Sequence, residues 1–265
     1  MKFTKMEGLG NDYVYVDCFK ESVLNPEKAA KVLSDRHTGV GGDGLILICP
    51  SSVADFCMKV YNADGSQAEM CGNAIRCVGK YVYEKGLTQK THISIETLAG
   101  IKHDRLHVKD GKVMEVTADM GSPEYIGNVE LTYEKDIYKL GIVDMGNPHA
   151  VMFVNDVHEY PVDKIGPYIE NHPMFKYRTN VEFVQVIDSN SIRVRVWERG
   201  SGETAACGTG ACAACVSGIK TERLAEAVDV YMPGGCLQIK YKKETNKIYM
   251  TGPARITFEG CTDIV

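Results

Sequence analysis

Two periodicities alternate along the chain. Apolar side chains recur at every second residue in Phe56–Val60 and in Ile192–Val196, which predicts half-buried strands. Asn25-Pro26 is typical of a helix start, with asparagine as the cap and proline in the first turn. We predict helices over residues 26–34, 74–84, 162–171 and 209–220, and further strands over 92–97, 101–108, 113–118, 228–231, 237–241, 248–251 and 255–259. The pattern indicates an α/β chain.

The chain also repeats itself. Gly10-Asn11 recurs 136 residues later as Gly146-Asn147, and Cys71-Gly72 recurs at the same offset of 136 as Cys207-Gly208. The strand patterns of residues 44–48 and 56–60 fall on those of residues 180–184 and 192–196 without a gap. We therefore predict a duplicated unit rather than a chance match of two dipeptides.

The repeat sets the expected domain boundaries. The two halves meet near Met120–Pro123, so the first domain is expected over residues 1–119 and the second over residues 120–253. The duplicated unit is complete before the last predicted strand. Residues 254–265 are therefore expected to return to the first half.

Composition narrows the classes of function. The chain has 265 residues, 44% hydrophobic and 25% charged, with a net charge of −5 and no basic face, so nucleic acid is not expected as a partner. It has no apolar run long enough to span a membrane and no signal-peptide pattern at its start, so we expect a cytoplasmic protein.

Ten cysteines are a high count for such a chain. A disulfide framework is not expected, because the chain is long and shows no secretion signal. A metal site is not expected either, since Cys212-x2-Cys215 is the single C-x2-C pair and lies in a small-residue helix pattern. Most of the thiols are best interpreted as small buried side chains.

Cys71 and Cys207 differ from the other cysteines because each lies at the predicted start of a helix and is followed by glycine. The positive end of a helix lowers a thiol pKa and favours the thiolate. Its N–H groups suit a carboxylate. If the halves pack about a pseudo-twofold axis, one thiolate could remove a Cα proton while the other thiol delivers one. The alternative is a pair of structural cysteines that cap core helices.

The chain resembles the diaminopimelate epimerase family. The segments that carry the resemblance span nearly the whole chain: residues 10–13, 36–44, 62–66, 70–77, 146–149, 198–200 and 206–210. The resemblance implies interconversion of LL- and meso-diaminopimelate in lysine and peptidoglycan precursor synthesis, without pyridoxal phosphate, metal or other cofactor. It implies a homodimer. It also implies two pseudo-symmetric α/β halves, each with mostly antiparallel strands wrapped around a central helix, and an active site in the cleft between them.

The resemblance also implies the residue roles. Cys71 and Cys207 match the catalytic acid and base. Gly72, Asn73, Gly208 and Thr209 match the helix ends that hold the reacting carboxylate. His149 and Glu198 match residues that tune the thiols or orient the substrate amine. The positions that grip the distal amino-acid centre are matched by Asn11, Asn62, Asn147, Asn180 and Arg199.

Two positions depart from the family pattern. Gly44 stands where some relatives have glutamine, and Phe258 stands where a tyrosine linked to the dimer contact can occur. Other functions also remain open: a related racemase for another amino acid such as histidine, a thiol redox switch, and a binding module without catalysis. Only the enzymes need two reduced thiols at equivalent positions.

Overall fold

The computed structural model describes residues 1–263 and confirms the mixed α/β prediction. The chain forms two compact units. Unit 1 holds residues 1–119 and the C-terminal residues from 251, and unit 2 holds residues 120–250. None of the described helices has the length and apolar character needed to cross a membrane.

The elements up to residue 121 begin with a β hairpin and alternate strands with two helices. They are β1 (Lys2–Gly8), β2 (Asn11–Asp17), α1 (Pro26–Ser34), β3 (Gly44–Cys49), β4 (Phe56–Asn62), β5 (Gln67–Ala68), α2 (Gly72–Glu84), β6 (His92–Thr97), β7 (Gly100–Lys109) and β8 (Lys112–Gly121).

The elements after residue 121 begin with another hairpin and end on a strand that belongs to unit 1. They are β9 (Glu124–Tyr133), β10 (Asp136–Asp144), β11 (Pro148–Phe153), α3 (Val162–Glu170), β12 (Asn180–Asp188), β13 (Ser191–Glu198), β14 (Gly202–Thr204), α4 (Gly208–Lys220), β15 (Ala227–Met232), β16 (Gly235–Lys242), the 3-10 turn Lys243–Thr245, β17 (Lys247–Gly252) and β18 (Arg255–Cys261).

The helix bounds repeat with the offset of 136 residues seen in the sequence. The bounds of α1 (Pro26–Ser34) correspond to those of α3 (Val162–Glu170), and those of α2 (Gly72–Glu84) to those of α4 (Gly208–Lys220). The strand pairing also repeats. In unit 1, β2 is parallel to β3 and β4 to β6; in unit 2, β11 is parallel to β12 and β13 to β15. The connection between the two strands of each parallel pair runs through one of the four helices, because parallel neighbours require a crossover connection.

The central helices are buried on nearly every side. In α2 the buried residues run from Gly72 to Val82, apart from Lys80, and in α4 all residues except Thr209 and Lys220 are buried. The small side chains of α4 allow strands β10, β11, β12 and β16 to approach it closely. The outer helices α1 and α3 instead cover an apolar face of their own unit.

The outermost strand of each unit comes from a different place in the chain. In unit 1, β18 pairs antiparallel with β1, and in unit 2, β9 pairs antiparallel with β10. The sequence patterns indicated β18 but not β9, whose polar and apolar residues alternate weakly next to an exposed turn. Glu134 in that turn adopts a positive φ of 56°.

Candidate active site

Cys71 is the N-cap of α2. Its backbone is extended, with φ −135° and ψ 117°, and its sulfur accepts a hydrogen bond from the Ala74 N–H at 3.5 Å. An extended residue followed by helical ones places the side chain over the first turn, where N–H groups have no partner within the helix. The thiol is half-buried, so it is held by the helix start and still accessible.

The first thiol is also held from β2. Cys71 donates to Asn11 Oδ1 at 3.3 Å, and Asn11 Nδ2 donates to Asp43 Oδ2 at 2.8 Å. The same carboxylate oxygen accepts from the Asp12 N–H at 3.0 Å. Asp43 thus fixes the orientation of the Asn11 amide, so that its oxygen faces the thiol.

The other side chains predicted for the site in unit 1, Asn73 and Asn62, have different surroundings. Asn73 is buried in the first turn of α2, next to Gly72. Asn62, at the end of β4, donates from Nδ2 to Ser66 Oγ at 3.0 Å. That bond holds the turn before β5. Asn62 is therefore a turn residue here, with an amide oxygen still available for other contacts.

Gly44 is confined by its neighbours. A Cβ on this residue would overlap the Tyr61 carbonyl oxygen and lie 2.7 Å from the Tyr13 ring. No side chain fits at this position with the strands as they are. The glutamine side chain of some relatives therefore has no counterpart at this position of the chain.

Cys207 repeats the arrangement of Cys71 at the start of α4. Its φ of −122° and ψ of 116° are again extended, and its sulfur accepts from the Gly210 N–H at 3.4 Å. The Thr209 hydroxyl lies 3.4 Å from the same sulfur and accepts from Asn147 Nδ2 at 3.4 Å. The predicted residues Cys207, Gly208, Thr209 and Asn147 therefore form one cluster.

His149 joins this cluster through a fully buried contact with Glu182. Its Nδ1 lies 2.7 Å from Glu182 Oε1, and its Nε2 lies 3.1 Å from Asn147 Oδ1. These two contacts fix the imidazole plane and, through Asn147, the amide beside Thr209.

The expectation that the helix start lowers the thiol pKa is wrong for Cys207. Burial raises the pKa of this thiol well above its usual range, and the carboxylates of Glu198 and Glu182 raise it further. The Thr209 hydroxyl and the Gly210 N–H lower the pKa, but by less. Desolvation and like charge outweigh the helix end here, so the thiol form of Cys207 is favoured.

Glu198 is half-buried against the same thiol. Burial raises the pKa of its carboxyl, while the Thr204 hydroxyl and the Cys207 thiol, which hydrogen-bond to it, lower that pKa. The strand turn between β13 and β14 holds the residue at this place. Glu198 is thus close enough to exchange a proton with Cys207 or to accept one from a bound amine.

Asn180 and Arg199 are joined to each other. Asn180 Oδ1 accepts from the Arg199 backbone N–H at 2.9 Å, and Asn180 Nδ2 donates to the Pro148 carbonyl at 3.1 Å. The exposed Arg199 guanidinium donates to the Tyr177 carbonyl at 3.0 Å. Asn180 therefore acts on the site by positioning the Glu198-Arg199 turn, while Arg199 keeps donors for a ligand carboxylate.

Two residues that hold site side chains in place were not predicted from the sequence. Glu182 and Asp43 each fix a polar side chain that was predicted. A signal for Glu182 existed, since a carboxylate inside the apolar run Val181–Val184 calls for a buried partner. Asp43 carries no such signal, because an aspartate in a glycine-rich loop is typical of a turn. Among the described residues, no cluster of three or more His, Cys, Asp or Glu side chains could hold a metal ion.

Comparison with solved structures identifies the fold. A phenazine biosynthesis protein of the PhzF family from Bacillus anthracis superposes with a TM-score of 0.77 over 98% of each chain, at 15% identity. A hydroxyproline epimerase from Agrobacterium vitis gives a TM-score of 0.73 at 15% identity, over 98% of this chain and 91% of that one. At such identities the likeness concerns the fold alone.

Comparison of sequences is more specific. The family model for diaminopimelate epimerase matches residues 3–126 and 141–257. A diaminopimelate epimerase from Acetivibrio thermocellus is 52% identical over 100% of this chain and 99% of its own. One from Methanococcus maripaludis is 50% identical over 100% of both chains. The family model covers most of the chain, and the relatives match it over its whole length. The chain belongs to the diaminopimelate epimerase family.

Proposed function

We propose that this protein interconverts LL- and meso-diaminopimelate by two-base proton transfer at Cα, with Cys71 and Cys207 as the two bases. One thiolate takes the Cα proton, and the other thiol delivers a proton to the opposite face, so that configuration inverts without a cofactor. The observation that carries the proposal is that these two thiols, out of ten, cap helices at positions 136 residues apart.

The helix starts are the proposed sites for the reacting carboxylate. In the transition state negative charge spreads from Cα onto this carboxylate, and N–H groups at Gly72-Asn73 and Gly208-Thr209 would stabilise it. His149 and Glu198, which lie around Cys207, would orient the substrate amine and set the protonation of the thiol.

The distal end of the substrate is also an amino acid and needs both donors and acceptors. We assign its recognition to Asn11, Asn62, Asn147, Asn180 and Arg199, since amides offer both kinds of group and a guanidinium holds a carboxylate with two bonds. Asn180 contributes through the turn that carries Arg199. Contacts at this remote end position the reacting centre.

The proposal extends to location and assembly. We expect a cytoplasmic homodimer without a metal or organic cofactor. Phe258 on β18 is half-exposed and packs edge-on against Phe3, with ring centroids 6.1 Å apart. Sedimentation of the purified protein tests the assembly: a mass near 29.2 kDa, that of one chain, would contradict the dimer.

Solvent exchange tests the reaction directly. The reduced protein is incubated with LL-diaminopimelate in deuterated water, and deuterium at Cα is followed together with configuration. We expect inversion with deuterium in the product. Cys71→Ser and Cys207→Ser should each lower the rate of inversion at least about a thousandfold, since each removes one of two obligatory proton carriers. Cys215→Ala, a buried cysteine in the middle of α4, is the matched control and should keep activity.

Two outcomes would contradict the proposal. If neither exchange nor inversion occurs with diaminopimelate, while histidine is racemised, the alternative substrate is correct. If one of the two serine variants inverts configuration at the parent rate, the two-base mechanism is wrong.

A further inference from the structure

Cys18, Cys49 and Cys57 are cysteines that the proton transfer proposed for Cys71 and Cys207 does not use. They lie at the ends of three neighbouring strands of unit 1: Cys18 follows β2, Cys49 ends β3, and Cys57 is the second residue of β4. All three are half-buried free thiols, so reagents in solution can reach them. Cys18 and Cys49 also pack against the rim of the apolar cluster that α1 covers.

The strand pairing places these three thiols in one row across the sheet. The parallel register of β2 and β3 reaches Asp17 and Ile48, and the Cys18 N–H continues it by donating to the Ile48 carbonyl at 2.9 Å. Cys18 therefore lies beside Cys49. On the other side, Cys57 is the antiparallel partner of Cys49. Residues side by side on neighbouring strands point to the same face of a sheet, so the three thiols share one face.

The spacing within this row suits a disulfide between Cys18 and Cys49. Neighbouring strands lie about 4.8 Å apart, which is inside the range of about 4.4–6.8 Å that a disulfide spans between Cα atoms. The two thiols also interact directly, because the Cys49 thiol donates a hydrogen bond to the Cys18 sulfur. The bond between them therefore needs no rearrangement of the strands.

The surroundings of the three thiols indicate which one attacks first. The hydrogen bond from Cys49 and the Lys59 ammonium lower the pKa of Cys18. The same hydrogen bond raises the pKa of Cys49, and burial raises the pKa of Cys57. The thiolate is the nucleophile in thiol–disulfide exchange, so Cys18 is the attacking thiol and Cys49 the resolving one.

We propose that Cys18 and Cys49 form a thiol–disulfide exchange site that reacts with low-molecular-weight disulfides such as glutathione disulfide. The Cys18 thiolate attacks one sulfur of the external disulfide, forms a mixed disulfide and releases one thiolate. Cys49 then loses its proton to solvent, attacks the Cys18 sulfur and releases the second thiolate. Two protein thiols are oxidised to one disulfide, one external disulfide is reduced to two thiols, and the two protons end on the released thiolates.

This site is separate from the thiol proposed for catalysis in the same unit. Asn11, which accepts from Cys71, is the first residue of β2, and Cys18 follows the last residue of that strand. At about 3.3 Å per residue, the strand puts the two residues roughly 20 Å apart. A disulfide between Cys18 and Cys49 therefore does not consume Cys71.

Peptide mass spectrometry without reduction tests the site. The reduced full-length protein is incubated with glutathione disulfide at pH 8, and the remaining thiols are then blocked. Asp55 lies between Cys49 and Cys57, so digestion with trypsin and an aspartate-specific protease separates these two thiols. We expect peptides joined through Cys18 and Cys49. Unmodified thiols, stable glutathione on Cys18, or peptides joined through Cys49 and Cys57 instead would overturn the proposal.

Three serine variants test the order of the steps. Cys57→Ser is the matched control and should form the disulfide at the parent rate. Cys49→Ser should stop with glutathione on Cys18, because the resolving thiol is missing. Cys18→Ser should lower the rate at which Cys49 is oxidised at least about tenfold, since the better nucleophile is gone.

The proposal fails if Cys57→Ser loses the disulfide, if Cys49→Ser carries no glutathione on Cys18, or if Cys18→Ser leaves the oxidation of Cys49 unchanged. These assays involve no turnover and no thiol of the proposed active site. They therefore hold or fail separately from the epimerase reaction.

Discussion

Cys71 and Cys207 have the same backbone conformation and the same capping role, yet the side chains around them differ. Position by position at the 136-residue offset, Tyr13 corresponds to His149, Ile46 to Glu182 and Asn62 to Glu198. The second thiol therefore has two carboxylates nearby that the first does not have, and these raise its pKa. At Cys207, burial and these two carboxylates outweigh the helix end in setting the pKa of the thiol.

Glu182→Gln tests this effect at Cys207. Removing one of the two carboxylates should lower the pKa of the Cys207 thiol, because a negative charge close by disfavours the thiolate. The measurement is the pH dependence of thiolate absorbance near 240 nm, taken as the difference between this variant and the same variant with Cys207→Ser. Glu170→Gln, a buried glutamate bound to Trp197 and Arg178, is the matched control and should leave the titration unchanged.

Replacing Asp104, a buried residue of β7, should change how the stability of the protein depends on pH. The folded pKa of Asp104 is raised, so the folded state holds a proton that the unfolded chain releases above its ordinary pKa of about 3.9. Stability from this group is thus complete below about pH 4 and is lost as pH rises. The asparagine variant avoids that loss and should unfold about 2–4 °C higher at pH 7, the shift that about 1 kcal/mol gives.

The stabilisation should disappear when thermal unfolding is measured near pH 3, about one unit below the ordinary pKa, where both states of the parent hold the proton. Asp136→Asn, at the exposed start of β10, is the control and should show no pH-dependent gain. A parent that is more stable than Asp104→Asn at pH 7 would contradict the interpretation of Asp104 as a buried neutral acid.

At the scale of elements, the sequence predicted those helix bounds that depend on the local pattern of residues. The four helices begin and end within two residues of the predicted bounds, because caps, glycines and apolar periodicity act over a few residues. The residues that hold the site could not be predicted in this way. Asp104 lies in a polar-apolar alternation and Arg76 in a helical one, so only the packing of β7 against α2 shows that both are buried.

A difference between α1 and α3 illustrates the same limit. Residue 30 in α1 is alanine, and the equivalent residue in α3 is Gly166. A Cβ on Gly166 would lie 2.5 Å from Cγ of Trp197, whereas the residue equivalent to Trp197 in unit 1 is the smaller Tyr61. The glycine lowers the helix propensity of α3, but it makes room for the indole ring.

Gly166→Ala should therefore destabilise the protein by about 1–3 kcal/mol, although alanine favours a helix by about 1 kcal/mol over glycine. Combining it with Trp197→Tyr restores the pair found in unit 1. The double variant should then be more stable than the sum of the two single effects predicts, by at least about 0.5 kcal/mol. Urea unfolding of all four proteins gives this coupling, and strict additivity would show that the ring does not limit the helix.

At the scale of the whole molecule, the two units repeat the capped thiol but differ in what surrounds it. Unit 1 has a half-buried thiol whose helix also carries the buried Arg76, and unit 2 has a buried thiol with two carboxylates nearby. Stereoinversion requires one base and one acid at the same moment. The divergence of the repeat is therefore compatible with the different roles proposed for the two thiols.

Limited alkylation of the whole protein should show the difference directly. At pH 8 and with little iodoacetamide, Cys71 should be modified several times faster than Cys207, since thiolate is the reactive form and the second thiol is also less exposed. Peptide mass spectrometry gives the two rates. In concentrated guanidinium chloride the two thiols should react at the same rate. A faster reaction of Cys207 than of Cys71 in the folded protein would contradict this prediction.

The pairing of β18 with β1 has a consequence for how the protein is made. The amino group of Met1 donates to the Thr262 carbonyl at 2.7 Å, and the Thr262 N–H donates to the Met1 carbonyl at 2.9 Å. Unit 1 therefore lacks its outer strand until β18 has left the ribosome, whereas all of unit 2 is synthesised earlier. Domains usually fold in the order in which they emerge. In this chain the second unit can finish first, and the unit that carries Cys71 is completed only after β18 has been synthesised.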